Sequence, residues 1–137
     1  MSKVHAAKPV WLLAGGPGSR RRGPDPLLQR ALALGGRPSP SVAYVGAPSG
    51  DNHAFFVMIG ALLKKAGAGE VTLVRLAGRR PDVDRARDEL SSADVVFITG
   101  GDVEEGMRVF EATGTVAFLG ELAAGGKPFI GVSAGSI

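Results

Sequence analysis

Five short apolar runs, separated by stretches with helical periodicity, constrain this chain more than any other feature. The runs fall at residues 10–14, 41–45, 70–76, 94–99 and 129–132. Runs of this length read as strands buried on both faces of a sheet. The stretches between them carry helix signals. Asp25 followed by Pro26 opens a first helix, which carries Leu27, Leu28, Ala31, Leu32 and Leu34 and stops at Gly35-Gly36. Asp51 or Asn52 caps a second, strongly apolar helix through Ala66, closed by Lys64, Lys65 and Gly67. Pro81 opens a third, in which Val83, Ala86 and Leu90 share one face. Asp102-x-x-Glu105 has the form of a capping box for a fourth. Residues 116–124 supply a fifth, ending at Gly125-Gly126. Strands that alternate with helices pair in parallel through right-handed crossovers. The expected fold class is therefore α/β, a doubly wound, mostly parallel, flavodoxin-like sheet, in one domain spanning residues 1–137.

Composition supports such a core and narrows the chemistry. Hydrophobic residues make up 45% of the chain and aromatics only 6%, a mix that lets helices approach a sheet closely. There is no cysteine, which removes disulfides, thiolate metal sites and a cysteine nucleophile. Two histidines are too few for a multi-histidine metal site, so no metal is expected. The net charge of +3 comes mostly from arginine. The clusters Arg20-Arg21-Arg22 and Arg79-Arg80 lack interleaved aromatics, and solvated loops account for them better than nucleic acid does. The N-terminus has no sustained apolar stretch with a cleavage site, and the longest apolar block, 54–59, is too short to span a bilayer. No nucleic-acid or membrane partner is expected, and the cytoplasm is the expected location.

In a doubly wound sheet, function gathers at the carboxyl ends of the strands. Four loops of this chain leave such ends: 15–18, 46–52, 100–102 and 131–135. The last contains Gly131-Val132-Ser133-Ala134-Gly135, directly after the apolar run Pro128-Phe129-Ile130. This is the G-x-S-x-G pattern of a nucleophile elbow, in which a sharp strand-to-helix turn lifts a serine hydroxyl out of the backbone. With 21 glycines in the chain the letters alone are weak, and context has to support them. Acyl transfer from a serine needs a lifted hydroxyl, donors for the developing oxyanion, and a base. Ser133 offers the hydroxyl, and the N–H of Ala134 offers one donor. Gly100-Gly101-Asp102 follows the apolar run 95–98 and can offer a second donor while Asp102 caps the next helix. Gly15-Gly16-Pro17-Gly18 fails both phosphate-loop patterns: Arg21 stands where a dinucleotide fingerprint needs its third glycine, and Pro24 follows Gly23 where a P-loop needs lysine. It reads as a tight turn beside the site. His53 reads as an exposed first-turn helix residue rather than a base, His5 precedes the first strand on the opposite rim, and Asp51 reads as a cap before a substrate contact.

Together these segments resemble the serine peptidase family that contains peptidase E and cyanophycinase. The carrying residues are Leu12-Leu13-Ala14-Gly15-Gly16, Phe97-Ile98-Thr99-Gly100-Gly101-Asp102, and Lys127-Pro128-Phe129-Ile130-Gly131-Val132-Ser133-Ala134-Gly135. The resemblance covers nearly the whole chain and implies a class I glutamine amidotransferase-like fold. It implies peptide hydrolysis with Ser133 as nucleophile and Gly101 and Ala134 as oxyanion-hole donors. The loop residues Gly15, Gly16, Gly100, Asp102, Gly131 and Gly135 would support them. It implies a small peptide as substrate and no cofactor.

The chain departs from the family in one respect. The family's histidine lies a few dozen residues after the serine, and here four residues follow Ser133. Three explanations fit: a fragment of a longer enzyme, one piece of a split protein completed by another chain, or a member without hydrolytic activity. The first is the expectation, so the partners it allows are a complementing segment or a second copy in a homodimer. A noncatalytic small-ligand module on the same rim and an α/β-hydrolase-type esterase are the rival functions. A glutaminase is weaker, because that chemistry in this fold uses cysteine.

Overall fold

Val42-Ala43-Tyr44-Val45 shows how the sheet is built: all four residues are buried, with alternate side chains entering opposite cores. A computed structural model of the protein describes residues 10–13 and 23–132. The strands are β1 (Val10–Leu13), β2 (Val42–Val45), β3 (Val71–Val74), β4 (Val95–Ile98) and β5 (Phe129–Val132). Between them run α1 (Pro26–Ala33), α2 (His53–Lys65), α3 (Val83–Ser92), α4 (Val103–Thr113) and α5 (Thr115–Ala124). A single 3-10 turn, Ala47–Ser49, follows β2.

The sheet has the order β1-β5-β4-β2-β3, and every pair is parallel. Strands β3-β2-β4-β5 repeat the flavodoxin-like order, and β1 is added beside β5. The expected doubly wound α/β class is the one observed. One core lies under α1 and α2, where Leu28, Leu32, Tyr44, Leu63, Phe97 and Ile130 meet. The other lies under α3, α4 and α5, around Val45, Leu76, Leu90, Val96, Val109 and Phe129. Tyr44 stacks on Phe97 at a centroid distance of 5.5 Å and meets the edge of Phe56 at 5.1 Å. Each such buried side chain contributes on the order of 1.5–3 kcal/mol relative to exposure.

Local signals set the helix starts. Asp25 accepts from the Leu27 N–H at 2.8 Å ahead of Pro26, as expected. The second helix is capped by Asn52, which accepts from the Phe55 N–H at 2.9 Å, and not by Asp51. The third starts at Val83 rather than Pro81, because Asp82 is the residue whose carboxylate reaches back to an amide, that of Arg85, at 3.0 Å. Strand β3 is shorter than its apolar run, since β2 ends at Val45 and leaves the backbone past Val74 without a strand to pair with. On the amino-terminal rim, Ser41 and Asp94 exchange four hydrogen bonds of 2.9–3.2 Å, which join the starts of β2 and β4.

Candidate functional site

Strand β5 lies between β1 and β4, so its carboxyl end leaves the sheet between the ends of those two strands. The register sets Ile98 and Leu12 level with Gly131. Adjacent parallel strands stand about 4.8 Å apart. The Gly100-Gly101-Asp102 loop therefore springs from the strand next to the one that ends at Val132. Gly100 is buried and Gly101 is half-buried. Ser133, Ala134 and Gly135 follow β5 and lie outside the described residues, as do Gly15 and Gly16 after β1. The structure thus places Gly101 beside the strand that precedes Ser133.

The Gly101 loop is held from outside its own strand. Gly101 has φ 148°, a conformation that side-chain-bearing residues rarely adopt. A β-carbon there would come within 2.6 Å of the Pro48 carbonyl carbon and 3.0 Å of the Ser49 nitrogen. The Pro48 carbonyl oxygen accepts from the Asp102 N–H at 2.9 Å. Asp102 in turn caps α4, its carboxylate accepting from the Glu105 N–H at 3.1 Å. The reciprocal half of a capping box does not form: Pro48 already occupies the Asp102 amide, and the Glu105 carboxylate pairs with Arg108 instead. One turn into α4, Gly106 leaves room for the proline ring, since a β-carbon there would sit 2.9 Å from Pro48 Cγ. The Gly101 N–H donates to no acceptor among the described residues.

Among the described residues no group of three or more His, Asp or Glu side chains is placed to hold a metal ion. The start of α4 adds the positive end of a helix dipole near Gly101, offset by Glu104 and Glu105 in its first turn. His53 is exposed at the first position of α2, with its ring 6.0 Å from Phe56. It follows β2, and β4 stands between β2 and β5. A groove of about 730 Å³ lined by Asp51, His53, Arg75, Arg80 and Arg85 flanks the edge strand β3. It lies on the far side of β2 from β4 and β5.

Beneath the rim, the Tyr44 hydroxyl is buried beside Thr99 and Asp51. Burial holds it in its neutral form, raising its pKa; the Asp51 charge adds to that effect and a contact with Thr99 opposes it. Sequence reasoning identified Gly100, Gly101 and Asp102 but passed over Pro48 and Gly106. The only available signal was a proline in the loop after β2, and nothing in the sequence ties that loop to a glycine more than fifty positions on.

No helix among the described residues is long and apolar enough to cross a membrane. No curated protein sequence matches the chain. Eleven chains of solved structures do. One is a candidate peptidase E protein from Listeria monocytogenes EGD-e, at 22% identity with a TM-score of 0.64. That match covers 79% of this chain and 54% of the other, so this chain spans about half the length of its solved neighbour. At that identity the likeness speaks for the fold alone. The sequence carries the family: the model of peptidase family S51 matches residues 11–137, from β1 through the Gly101 loop to the serine after β5, and the chain belongs to that family.

Proposed function

We propose that this chain carries the nucleophile and the oxyanion hole of a serine peptidase acting on small peptides. The observation that carries the reading is the pairing of β4 with β5, which brings the Gly101 loop and the strand preceding Ser133 to neighbouring exits of one parallel sheet. In this reading Ser133 Oγ attacks the scissile carbonyl carbon and passes its proton to a base. The carbonyl oxygen becomes an oxyanion, held by the N–H groups of Gly101 and Ala134. Collapse of that intermediate breaks the C–N bond, the leaving amine takes the proton from the base, and water then hydrolyses the acyl-enzyme.

His53 does not suit the base, because it follows β2 and β4 stands between β2 and β5. The family's histidine follows its serine, so the proposal includes a segment that supplies it in cis or from another chain. A cytoplasmic site of action belongs to the same proposal, and fractionation of cells expressing the protein checks it.

A fluorophosphonate probe tests the reading. The full-length protein should be labelled at Ser133, and Ser133→Ala should abolish labelling. Equal labelling of both proteins, or none of the native one, would overturn the proposal.

A further inference from the structure

Asp51 is the only described residue other than glycine with a left-handed backbone, at φ 55°. Such a conformation costs free energy unless the surroundings impose it. Here they do. The Asp51 N–H donates to the Gly46 carbonyl at 2.9 Å, which closes the turn that contains Pro48. Its carboxylate oxygen Oδ2 accepts from two successive backbone amides, Leu76 at 2.9 Å and Ala77 at 2.8 Å. Those amides lie just past the end of β3, where strand pairing with β2 has stopped. One carboxylate thus stands in for the missing strand partner, with charge-assisted bonds stronger than neutral ones.

The consequence reaches across the sheet. Asp51 ties the end of β3 to the turn after β2, and Pro48 in that turn holds the Asp102 N–H and packs against Gly106. We infer that Asp51 is a positioning residue for the reaction: it anchors the β2 turn so that Pro48 can hold the Gly101 N–H where an oxyanion would form. The inference rests on the peptidase reading for its chemical purpose. The mechanical link from Asp51 to Asp102 is independent of that reading. Asp51 acts through this turn: one carboxylate oxygen faces the β3 amides and the other the buried side of Gly46.

Two substitutions separate the carboxylate from the backbone. Asp51→Gly keeps the left-handed turn available and removes the acceptor. Asp51→Asn keeps both, since asparagine tolerates this conformation and its amide oxygen can accept the two N–H groups. Two readouts apply: hydrogen exchange of individual amides, and the rate of Ser133 labelling by a fluorophosphonate in the folded protein. D51G should speed exchange at Leu76, Ala77 and Asp102, leave α1 unchanged, and slow labelling by up to about a hundredfold, the scale expected for a misplaced group. D51N should restore both to within about twofold of the native rates, within the range of a retained hydrogen bond. A role confined to stability would lower the urea midpoint yet leave the labelling rate of folded protein untouched, and that result would overturn the inference. Native exchange at Asp102 in D51G would overturn it as well. If the native protein is not labelled at all, the peptidase reading fails on its own. Exchange at Asp102 then decides the link: faster exchange in D51G upholds it, and unchanged exchange removes it.

Discussion

Pro48 and Gly101 are in contact across the gap between β2 and β4, so close that residue 101 has no space for a β-carbon. The same proline carbonyl that excludes a side chain at 101 receives the N–H of residue 102. An oxyanion donor is useful only if it is preorganised, because reorganising it during the reaction would forfeit its advantage. The double glycine supplies the conformation, and the turn after β2 removes the freedom that glycine would otherwise bring.

Gly101→Ala should therefore fail twice. The strained backbone and the collision with Pro48 should cost about 2–3 kcal/mol of folding stability. Urea unfolding measures this, and the surviving folded protein should show slower probe labelling. A fully stable alanine variant would mean that the turn after β2 can retreat.

Asp102 separates into two roles. Asp102→Ala removes the α4 cap and should cost about 1 kcal/mol, whereas Asp102→Asn should retain most of it. The Pro48 bond uses the backbone N–H and should persist in both, so the Asp102 amide should stay protected from exchange in the asparagine variant. Thermal unfolding and amide exchange together check the pair.

The layout of the fold was legible because local and global signals agree. The run 129–132 coincides with β5, and Asp25-Pro26 begins α1 where expected. Other positions were not legible, for physical reasons. Asp51 and Asn52 are both good caps, and only the location of the β3 amides decides that Asp51 turns toward them. Pro81 suits a first helical turn, yet the adjacent Asp82 reaches an amide and sets the start. The turn Ala47–Ser49 has three residues and no periodicity, so its bearing on the Gly101 loop appears only when β2 and β4 are seen to be neighbours. Gly100, Gly101 and Asp102 were readable as the turn into α4, because a double glycine and a capping residue directly follow an apolar run.

Tyr44 provides a pH test with a defined sign. Burial raises the folded-state pKa of its hydroxyl, with the charge of Asp51 acting in the same direction. The folded state then binds its proton more tightly than the unfolded chain does. That contribution is fully present below the ordinary tyrosine value of about 10 and is lost as pH climbs from there through the folded value. Unfolding free energies measured across that range should fall more steeply for the native protein than for Tyr44→Phe. Equal slopes would show that the hydroxyl does not titrate differently in the two states.

Lys127 closes the far end of α3, which has no basic residue in its own last turn. Its ammonium donates to the carbonyl oxygens of Ser91, at 2.8 Å, and of Ala93. Lys127→Met keeps the aliphatic stem and loses both bonds, and should cost about 1 kcal/mol in chemical denaturation. An unchanged midpoint would mean that water satisfies those carbonyls equally well.

The fit of the Pro48 ring over Gly106 constrains how this protein can diverge. A lineage that places any larger residue at 106 must first give up the proline, and one that gives up the proline loosens the bend at 101. Positions 48 and 106 should therefore drift as a couple among descendants, while their immediate neighbours in the chain vary independently.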